Sequence, residues 1–389
     1  MRITRFRLVV FGVPLVALAG IAVLLAFLVS GGAQPQTAQS FPLPQHLKPE
    51  DFWPEQQGVL HVVAAPTEGS PAASSGVAQM ELWFDPRNMR ACQEVRSTDG
   101  FLDYVAVGDG DHYDSYDSRT KSVLHRRLLD GGGWGYWVQN DGSLVMGEAF
   151  VNRYPDDVKR TTLNGSDVLS YQLPEIGEDG QIEATQTMYL DSTTRLPVRS
   201  EREGVSGGAK TSGSSVKYAI VEWLPQEQVE AGLFRLPVDL PDVTSTTTET
   251  HMTLDEAAKF NDFDIYYLGD VFQDAGLCAL FDYETVSKYE SIHYFAAEYS
   301  WDGTTARVAL HVTSTPFVEG QRNPWSTPRS GSSGPMNIIV QGQPALFYDP
   351  GDLWQRLGDT IVHVSSTDTK FATQEAITGI GQELKRLNE

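Results

Sequence analysis

The sequence contains one pattern that is typical of a nucleophile, the G-x-S-x-G motif from Gly204 to Gly208. In hydrolases this motif forms a strained turn between a strand and a helix, which exposes the serine beside an oxyanion site. Here Ser206 opens a run of Gly, Ser, Lys and Thr that ends at Ser215, between two expected strands. We therefore predict a flexible hairpin loop. An extracytoplasmic hydrolase ranks third among the candidate functions, after a lipid-binding protein and a regulatory interaction module.

Four acidic residues close together form a second candidate site: Asp109, Asp111, Asp114 and Asp117. A calcium ion requires several oxygen ligands at alternating positions of a loop that turns at a glycine. Tyr113 stands where a third ligand is expected, however, and residues 105–117 are also typical of two strands joined by an Asp-Gly turn. We predict the solvated tip of a hairpin.

The other candidates for chemistry are weaker. The eight His include no H-E-x-x-H motif, and the glycine-rich segment Gly131 to Gly135 lacks the spacing of a dinucleotide site, so we interpret it as a loop. Trp134, Tyr136 and Trp137 could stack on sugars or lipid chains, although aromatic residues beside a turn more often pack a core. We expect no catalytic residue, no metal and no cofactor, and hence no enzyme.

Charge limits the partners. Lys and Arg number 29 against 51 Asp and Glu, which gives a formal net charge of −22. An acidic surface repels phosphate backbones, so we exclude nucleic acid as a partner. The two cysteines, Cys92 and Cys278, lack a C-x-x-C spacing, and either one bridge or two separate buried thiols remain possible.

The N-terminal region has the pattern of a membrane anchor. Leu8 to Val29 is a run of 22 uncharged residues, which as a helix spans roughly 33 Å, enough to cross a hydrocarbon core of about 30 Å. Arg2, Arg5 and Arg7 precede the run, and no positive charge follows until Lys48. The positive-inside rule therefore predicts a cytoplasmic stub at 1–7, a transmembrane helix at 8–29 and an extracytoplasmic remainder, in contact with the cytoplasmic membrane.

A cleavable signal peptide is the alternative, because Gly31 and Ala33 resemble a processing site. Both interpretations place the rest of the chain in the same compartment. Residues 30–54 are rich in Gln, Pro, Ala and Thr, which is typical of a spacer.

Residues 55–240 show mainly the alternation of period two that is typical of half-buried strands. Expected strands include 78–84, 90–97, 101–107, 121–128, 134–139, 167–173, 184–190, 195–201 and 216–223. A helix is indicated only at Glu148 to Lys159, where Pro155 interrupts it. Three connections begin with an acidic residue whose carboxylate can accept backbone N–H bonds in a turn: Asp85, Asp117 and Asp191.

Residues 241–251 are Thr-rich and lack apolar periodicity, so we predict a linker there and a second, α+β domain at 252–389. Thr253 and Glu256 form a capping-box pattern at the start of a helix. Expected strands lie at 291–299, 306–313, 336–341, 345–348 and 360–365. A final helix should begin after Thr373 and present one apolar face: Ile377, Ile380, Leu384 and Leu387.

Two phrases in the first domain resemble a known superfamily. They are TTLNGSDVLSYQLPE, from Thr161 to Glu175, and TMYLDSTTRLPVRSE, from Thr187 to Glu201. The matching positions are Asn164, Gly165, Val168, Tyr171 and Leu173, then Leu190, Asp191, Thr194, Leu196, Pro197, Val198 and Arg199. They resemble the LolA-like superfamily, which includes lipoprotein carriers, mycobacterial lipid-binding lipoproteins and RseB/MucB-type regulators. The segments 253–269 and 338–366 resemble a small uncharacterised module of exported bacterial proteins.

The resemblance implies an α+β fold that is mostly antiparallel β, with a curved sheet around an apolar cavity for acyl chains. It implies a non-enzymatic carrier or envelope sensor that binds a lipid or acyl chain. The alternative is a regulatory module of RseB type that binds another envelope protein. Strand phase and the resemblance together predict the ligand-binding residues Met80, Leu82, Phe84, Leu169, Tyr171, Met188 and Leu190. Packing of a closed core would explain the same residues.

The charge asymmetry across Leu8 to Val29 gives a direct test of topology. Three Arg precede the apolar run and none follows it closely, so the C-terminus should lie outside the cytoplasm. A reporter fused there should therefore be active only if it is of a type that functions outside the cytoplasm. Two fusions, one to a reporter active only outside and one to a reporter active only inside, provide the comparison. Activity of the cytoplasmic reporter would refute the predicted localisation.

Overall fold

The structure is a computed structural model, and it describes part of the chain. The described residues are 58–67, 76–144, 146–176, 182–206, 209–210, 213–230, 232–288, 291–301, 308–318, 336–348, 351–366, 368, 370–371 and 373–388. The predicted cytoplasmic stub, transmembrane helix and spacer lie outside these residues. Within the described ranges, no helix combines the length and the apolar character needed to cross a membrane.

The chain divides into two compact units, residues 1–123 with 131–243, and residues 124–130 with 244–389. Within the predicted linker at 241–251, Ser245–His251 forms a strand of the second unit. All seven of its residues pair with a neighbouring strand, from Ser245 opposite Ser287 to His251 opposite Phe281. Threonine is β-branched and favours strands, so a Thr-rich run without apolar residues can still form one.

The first unit is mostly antiparallel sheet, as expected. Its strands are β1 (Val59–Pro66), β2 (Val77–Asp85), β3 (Arg90–Ser97), β4 (Leu102–Asp109), β5 (His112–Asp117), β6 (Ser122–Arg127), β7 (Lys159–Leu163), β8 (Ser166–Ile176), β9 (Ile182–Asp191), β10 (Pro197–Ser206), β11 (Ala209–Lys210) and β12 (Ser214–Leu224). Ten of them pair in the spatial order β7, β8, β9, β10, β12, β1, β2, β3, β4, β5. Strand β11 pairs with the end of β10, and β6 continues into the second unit from Leu124.

The three predicted turns are confirmed. The Asp85 carboxylate accepts the Asn88 N–H at 3.2 Å. Asp117 accepts the N–H groups of Arg119 and Thr120, and Asp191 accepts those of Thr193 and Thr194. The backbone N–H bonds of Thr194 and Thr193 hold the pKa of Asp191 below its usual value. These acidic residues therefore have a structural role, which is to fix the ends of strands.

Two short helices, α1 (Gly132–Asp141) and α2 (Gly147–Arg153), belong to the first unit. The expected strand at 134–139 and the expected loop at Gly131 to Gly135 are both largely wrong, because this region is helical. Trp134 and Trp137, three residues apart, are both buried, as on one face of a helix. The expected helix near Glu148 is confirmed, and the chain reaches β7 through a single 3₁₀ turn at Pro155–Asp157.

A separate apolar cluster covers the opposite face of the strands that α1 contacts. Its buried members are Val59, Cys92, Val105, Val107, Tyr116, Val123 and Phe234. The irregular segment after β12 supplies Phe234, and the Tyr116 hydroxyl donates to the Pro241 carbonyl at 2.7 Å, which fixes the end of that segment. Burial raises the pKa of the Cys92 thiol, and neither Cys92 nor Cys278 forms a disulfide. The strands that α1 contacts are thus packed on both faces.

The second unit is a smaller antiparallel sheet with two helices. Its strands are β13 (Ser245–His251), β14 (Tyr266–Tyr267), β15 (Val271–Phe272), β16 (Ala275–Ser287), β17 (Ser291–Ser300), β18 (Val308–Pro316), β19 (Met336–Val340), β20 (Gln343–Tyr348), β21 (Asp352–Leu357), β22 (Thr360–Ser366) and β23 (Lys385–Arg386). The main sheet has the order β6, β13, β16, β17, β18, β22, β21, β20, β19, while β14 pairs with β23. The helices are α3 (Leu254–Ala257) and α4 (Gln374–Gln382).

Both predicted helix caps of this unit are confirmed. Thr253 and Glu256 form a complete capping box, and the Thr373 hydroxyl accepts the Ala376 N–H at 3.2 Å. Ile377 and Ile380 of α4 are buried in the core of the second unit. The helix is shorter than expected, because it ends at Gln382 and the chain then forms β23.

Two glycines of α1 make a matched test of how closely that helix packs. A Cβ on Gly133 would meet the His112 carbonyl oxygen and, at 2.8 Å, the Asp111 carbonyl carbon, whereas nothing lies within 4 Å of one on Gly135. Gly133→Ala should therefore cost about 1 to 3 kcal/mol of stability through overpacking. Gly135→Ala should instead stabilise the protein by about 0.5 to 1 kcal/mol, because it lowers the entropy cost of the helix. Denaturant melts of the two variants measure whether the free energy of unfolding falls in the first and rises in the second. Equal changes in the two variants would contradict this packing of α1.

His293 in the second unit makes stability depend on pH. Its ring is hydrogen-bonded to Asp282 at 2.8 Å, and this bond raises the pKa of His293 above its usual value, against the opposing effect of burial and with the help of the nearby Glu284 and Asp262 charges. Protonated His293 therefore contributes stability that is full below about pH 6.5 and is lost as the pH rises through the raised pKa.

His293→Gln should consequently lower the melting temperature more at about pH 5.5 than at about pH 8.5. Thermal melts of the unmodified protein and the variant at both pH values measure the difference. Asp282→Asn is the control, since it removes the negative partner and should abolish the same dependence. An equal decrease in the melting temperature of His293→Gln at both pH values would show that the charge of His293 does not contribute to stability.

Candidate functional site

The seven predicted ligand-binding residues all lie in the first unit, on one face of its sheet. Leu169 of β8 is opposite Leu190 of β9, and Tyr171 is opposite Met188. Met80, Leu82 and Phe84 occupy alternate positions of β2, opposite alternate positions of β1: Ala64, Val62 and Leu60. Six of the seven are buried, and Met80 is half-buried. We call this face the inner face.

Helix α1 covers one side of the inner face. The Trp134 ring lies 4.6 Å from the ring of Phe84, and the Trp137 ring lies 6.1 Å from that of Tyr113. Gly108 of β4 sits directly beneath Trp137, where a Cβ would collide with the indole. The glycine therefore permits the close approach of helix and sheet.

Helix α2 covers the other side. Its Phe150 stacks on Tyr171 of β8, with ring centroids 4.1 Å apart. Gly147, the first residue of α2, lies against the Arg195 carbonyl oxygen and the side chain of Leu190. The two helices thus pack on different sets of strands, α1 on β2, β4 and β5 and α2 on β8 and β9.

Strands β10, β12 and β1 lie between these two sets. Strand register aligns their inner-face side chains in two rows across the sheet. The first row is Tyr171, Met188, Ser200, Val216. The second row is Tyr218, Ala64, Met80, Val95. Ser200, Val216, Tyr218 and Met80 form the central strip, and the last three are only half-buried.

The central strip combines alkyl, thioether and hydroxyl groups. The Tyr218 hydroxyl donates to the Ser200 oxygen at 2.9 Å, and the Gln93 amide donates to the Met80 sulfur at 2.9 Å. The hydroxyl of Tyr171, at the end of the first row, is buried and has no hydrogen-bond partner within the described protein. Burial raises the pKa of Tyr171, so this phenol stays protonated.

The four residues of the strip include no carboxylate, imidazole or thiol, which are the groups that most often act as general acids or bases. Elsewhere in the described ranges, no group of three His, Cys, Asp or Glu residues could hold a metal ion. Ser206 lies at the end of β10, opposite Ala209 of β11, so the G-x-S-x-G pattern lacks the helix of a nucleophile elbow. Asp109 and His112 face each other across the predicted hairpin of β4 and β5.

Sequence reasoning missed three residues of the strip: Ser200, Val216 and Tyr218. The sequence pattern predicts strands around all three but does not assign their face, because β10 and β12 carry few large apolar residues to reveal a phase. The alternation of Val216 and Tyr218 with Lys217 and Ala219 was the available signal. It assigns the two residues to one face, and only the pairing with β1 and β10 identifies that face as the inner one.

No known family's sequence profile matches this chain, and no curated protein matches it. Three similar solved structures are an uncharacterised conserved protein from Thermus thermophilus, MucB in complex with MucA(peri), and the lipoprotein LppX from Mycobacterium tuberculosis. The first is 10% identical, covers 47% of this chain and 88% of its own, and has a TM-score of 0.28. MucB is 11% identical, covers 85% of this chain and 93% of its own, and has a TM-score of 0.27. LppX is 12% identical, covers 47% of this chain and 90% of its own, and has a TM-score of 0.24.

At these identities and TM-scores the likeness carries no argument about the fold or the role of this chain. The role of this chain therefore has to follow from its own residues.

Proposed function

We propose that the first unit binds an apolar molecule, a lipid or acyl chain, on its inner face and catalyses no reaction. The observation that carries this proposal is the central strip. It is a half-buried band of Met80, Val216 and Tyr218 on a face where Phe84 and Tyr171, on either side, are buried against the two helices. A half-covered apolar band between covered regions is the form expected of a ligand site.

The dimensions of the sheet support the proposal. Ten strands spaced about 4.8 Å apart make a sheet roughly 43 Å wide. Each helix is about 10 Å in diameter, so α1 and α2 together cover about 20 Å of that width. Both are also short, with 10 and 7 residues. Helices of this size do not span the inner face, which is only half-buried at Met80, Val216 and Tyr218, and an acyl chain fits such an apolar strip.

The chemistry of the strip favours a flexible apolar ligand. The Met80 side chain is unbranched and adapts to irregular shapes, while Val216 adds a rigid apolar surface. The strip contains no charged side chain, which disfavours a strongly charged peptide because its charges would be desolvated without partners. The Ser200 and Tyr218 hydroxyls offer one polar contact.

We further propose that Leu8 to Val29 anchors the chain and that the bound molecule is met outside the cytoplasm. An anchor would hold the first unit close to a membrane, where lipids and acyl chains are available. The acidic composition fits this arrangement, because a protein that repels anionic headgroups contacts a membrane chiefly through its apolar segment.

Two tryptophan substitutions on β2 separate an open strip from a filled core. Met80→Trp should leave the melting temperature of the full chain nearly unchanged and should abolish uptake of a fluorescent acyl probe, since Met80 is half-buried beside the strip. Leu82→Trp is the matched control on the same face of the same strand. Leu82 is fully buried, so this change should cost about 1 to 3 kcal/mol through overpacking.

Uptake is measured for a fluorescent fatty acid and for its methyl ester, with the unmodified chain as reference. A Met80→Trp variant that loses as much stability as Leu82→Trp would show a closed core at both positions. Absence of uptake of either probe by the unmodified chain would refute the proposal. Co-purification of a membrane signalling protein, together with no uptake, would then favour the interaction module.

A further inference from the structure

The Tyr171 hydroxyl is a buried polar group for which the described protein supplies no partner. Tyr171 is 1% exposed, and its oxygen has no hydrogen bond. Leaving such a group unsatisfied destabilises the folded protein, and nearly all buried polar groups in native proteins are satisfied. The hydroxyl therefore points to a partner that arrives from outside the chain.

The position of the ring excludes a simple rotation into solvent. Phe150 of α2 stacks on it at 4.1 Å between centroids. Tyr171 begins the row that continues through Met188 to Ser200. The phenol of Tyr218 lies close enough to add to the effect of burial, which raises the pKa of Tyr171. Tyr171 thus lies in the same row as Ser200, two strands away, at one side of the central strip.

We propose that the Tyr171 hydroxyl donates a hydrogen bond to an uncharged carbonyl oxygen of the bound molecule, so that the ligand is an acyl ester rather than a free fatty-acid anion. This inference rests on the proposed function, because it concerns the same site. It adds the chemical class of the ligand and the residue that selects it.

The charges around the row favour the ester. Arg199 belongs to the opposite face of β10, where it binds Ser215 at 2.9 Å and Glu201 at 2.6 Å. Arg202 is on the inner face but one row further along β10, opposite Gln186, and is half-buried. The row of Tyr171 itself, Met188, Ser200 and Val216, contains no cation. A carboxylate held there would lose its hydration without a paired charge, which is far more costly than burying an ester.

Tyr171→Phe tests the inference, because it removes the hydroxyl and keeps the ring that Phe150 contacts. The full chain should keep or slightly raise its melting temperature, since an unsatisfied group is removed. Its affinity for a fluorescent acyl methyl ester should fall about 5- to 10-fold, the factor that corresponds to one hydrogen bond of about 1 to 1.4 kcal/mol. Affinity of the unmodified chain should be higher for the ester than for the free acid.

Tyr189→Phe is the matched control. Tyr189 lies on β9, next to Met188 but on the opposite face, and its hydroxyl donates to Glu201 at 3.0 Å. This variant should lose stability and bind the ester as the unmodified chain does.

Unchanged ester affinity in Tyr171→Phe, or a lowered melting temperature, would overturn the inference while leaving binding of an apolar ligand intact. Tighter binding of the free acid would overturn the assignment of an ester. Failure of the unmodified chain to bind either probe would instead refute the proposed function.

Discussion

The antiparallel pairing of β1 with β12 determines the architecture of the first unit. It joins Val59 to Leu224 and Ala64 to Tyr218, residues far apart in the sequence. Without it, β1 to β5 and β7 to β12 would form two separate sheets. With it, one ten-stranded sheet results, and the strands that lack a covering helix lie at its centre. The central strip is a direct consequence, because Met80 comes from one half of the sheet and Ser200, Val216 and Tyr218 come from the other.

The two faces of this sheet have different roles for a physical reason. On the opposite face, the segment after β12 packs Phe234 and neighbouring apolar residues against β3, β4 and β5, and the Tyr116 hydroxyl secures its end. On the inner face, α1 and α2 are too short to cover ten strands. Burial of apolar surface is the main stabilising term in folding, so an apolar band left half-covered carries a cost that a bound apolar molecule would remove. The buried hydroxyl of Tyr171 has no hydrogen-bond partner within the described protein, and a bound molecule could supply one.

Local chemistry was predictable from the sequence, and long-range pairing was not. The turns at Asp85, Asp117 and Asp191 and the caps at Thr253 and Thr373 follow from interactions within four residues, so short patterns reveal them. The class, mostly antiparallel β with few helices, followed from alternation. In contrast, the sequence pattern indicates a strand where α1 lies, and it does not indicate the strands β13, β16 and β21. Tertiary contacts decide such segments: α1 is helical where its tryptophans meet the sheet, and β13 forms because β16 pairs with it.

The candidate site was likewise only partly predictable from the sequence. Strand phase identified the apolar residues of one face, but six of the seven are covered, and only Met80 belongs to the strip. The other three members depend on the register of β10, β12 and β1, which no short pattern encodes.

Photo-crosslinking in the native membrane tests the central claim most directly, because it reports where a lipid touches the chain. The full chain would be exposed to a diacylglycerol that carries a diazirine in one acyl chain, then irradiated, digested and analysed by mass spectrometry. A lipid held on the inner face predicts adducts on the peptides that contain Met80, Val216 and Tyr218. Adducts confined to Leu8 to Val29 would contradict the account, because the only lipid contact would then be the membrane around the anchor.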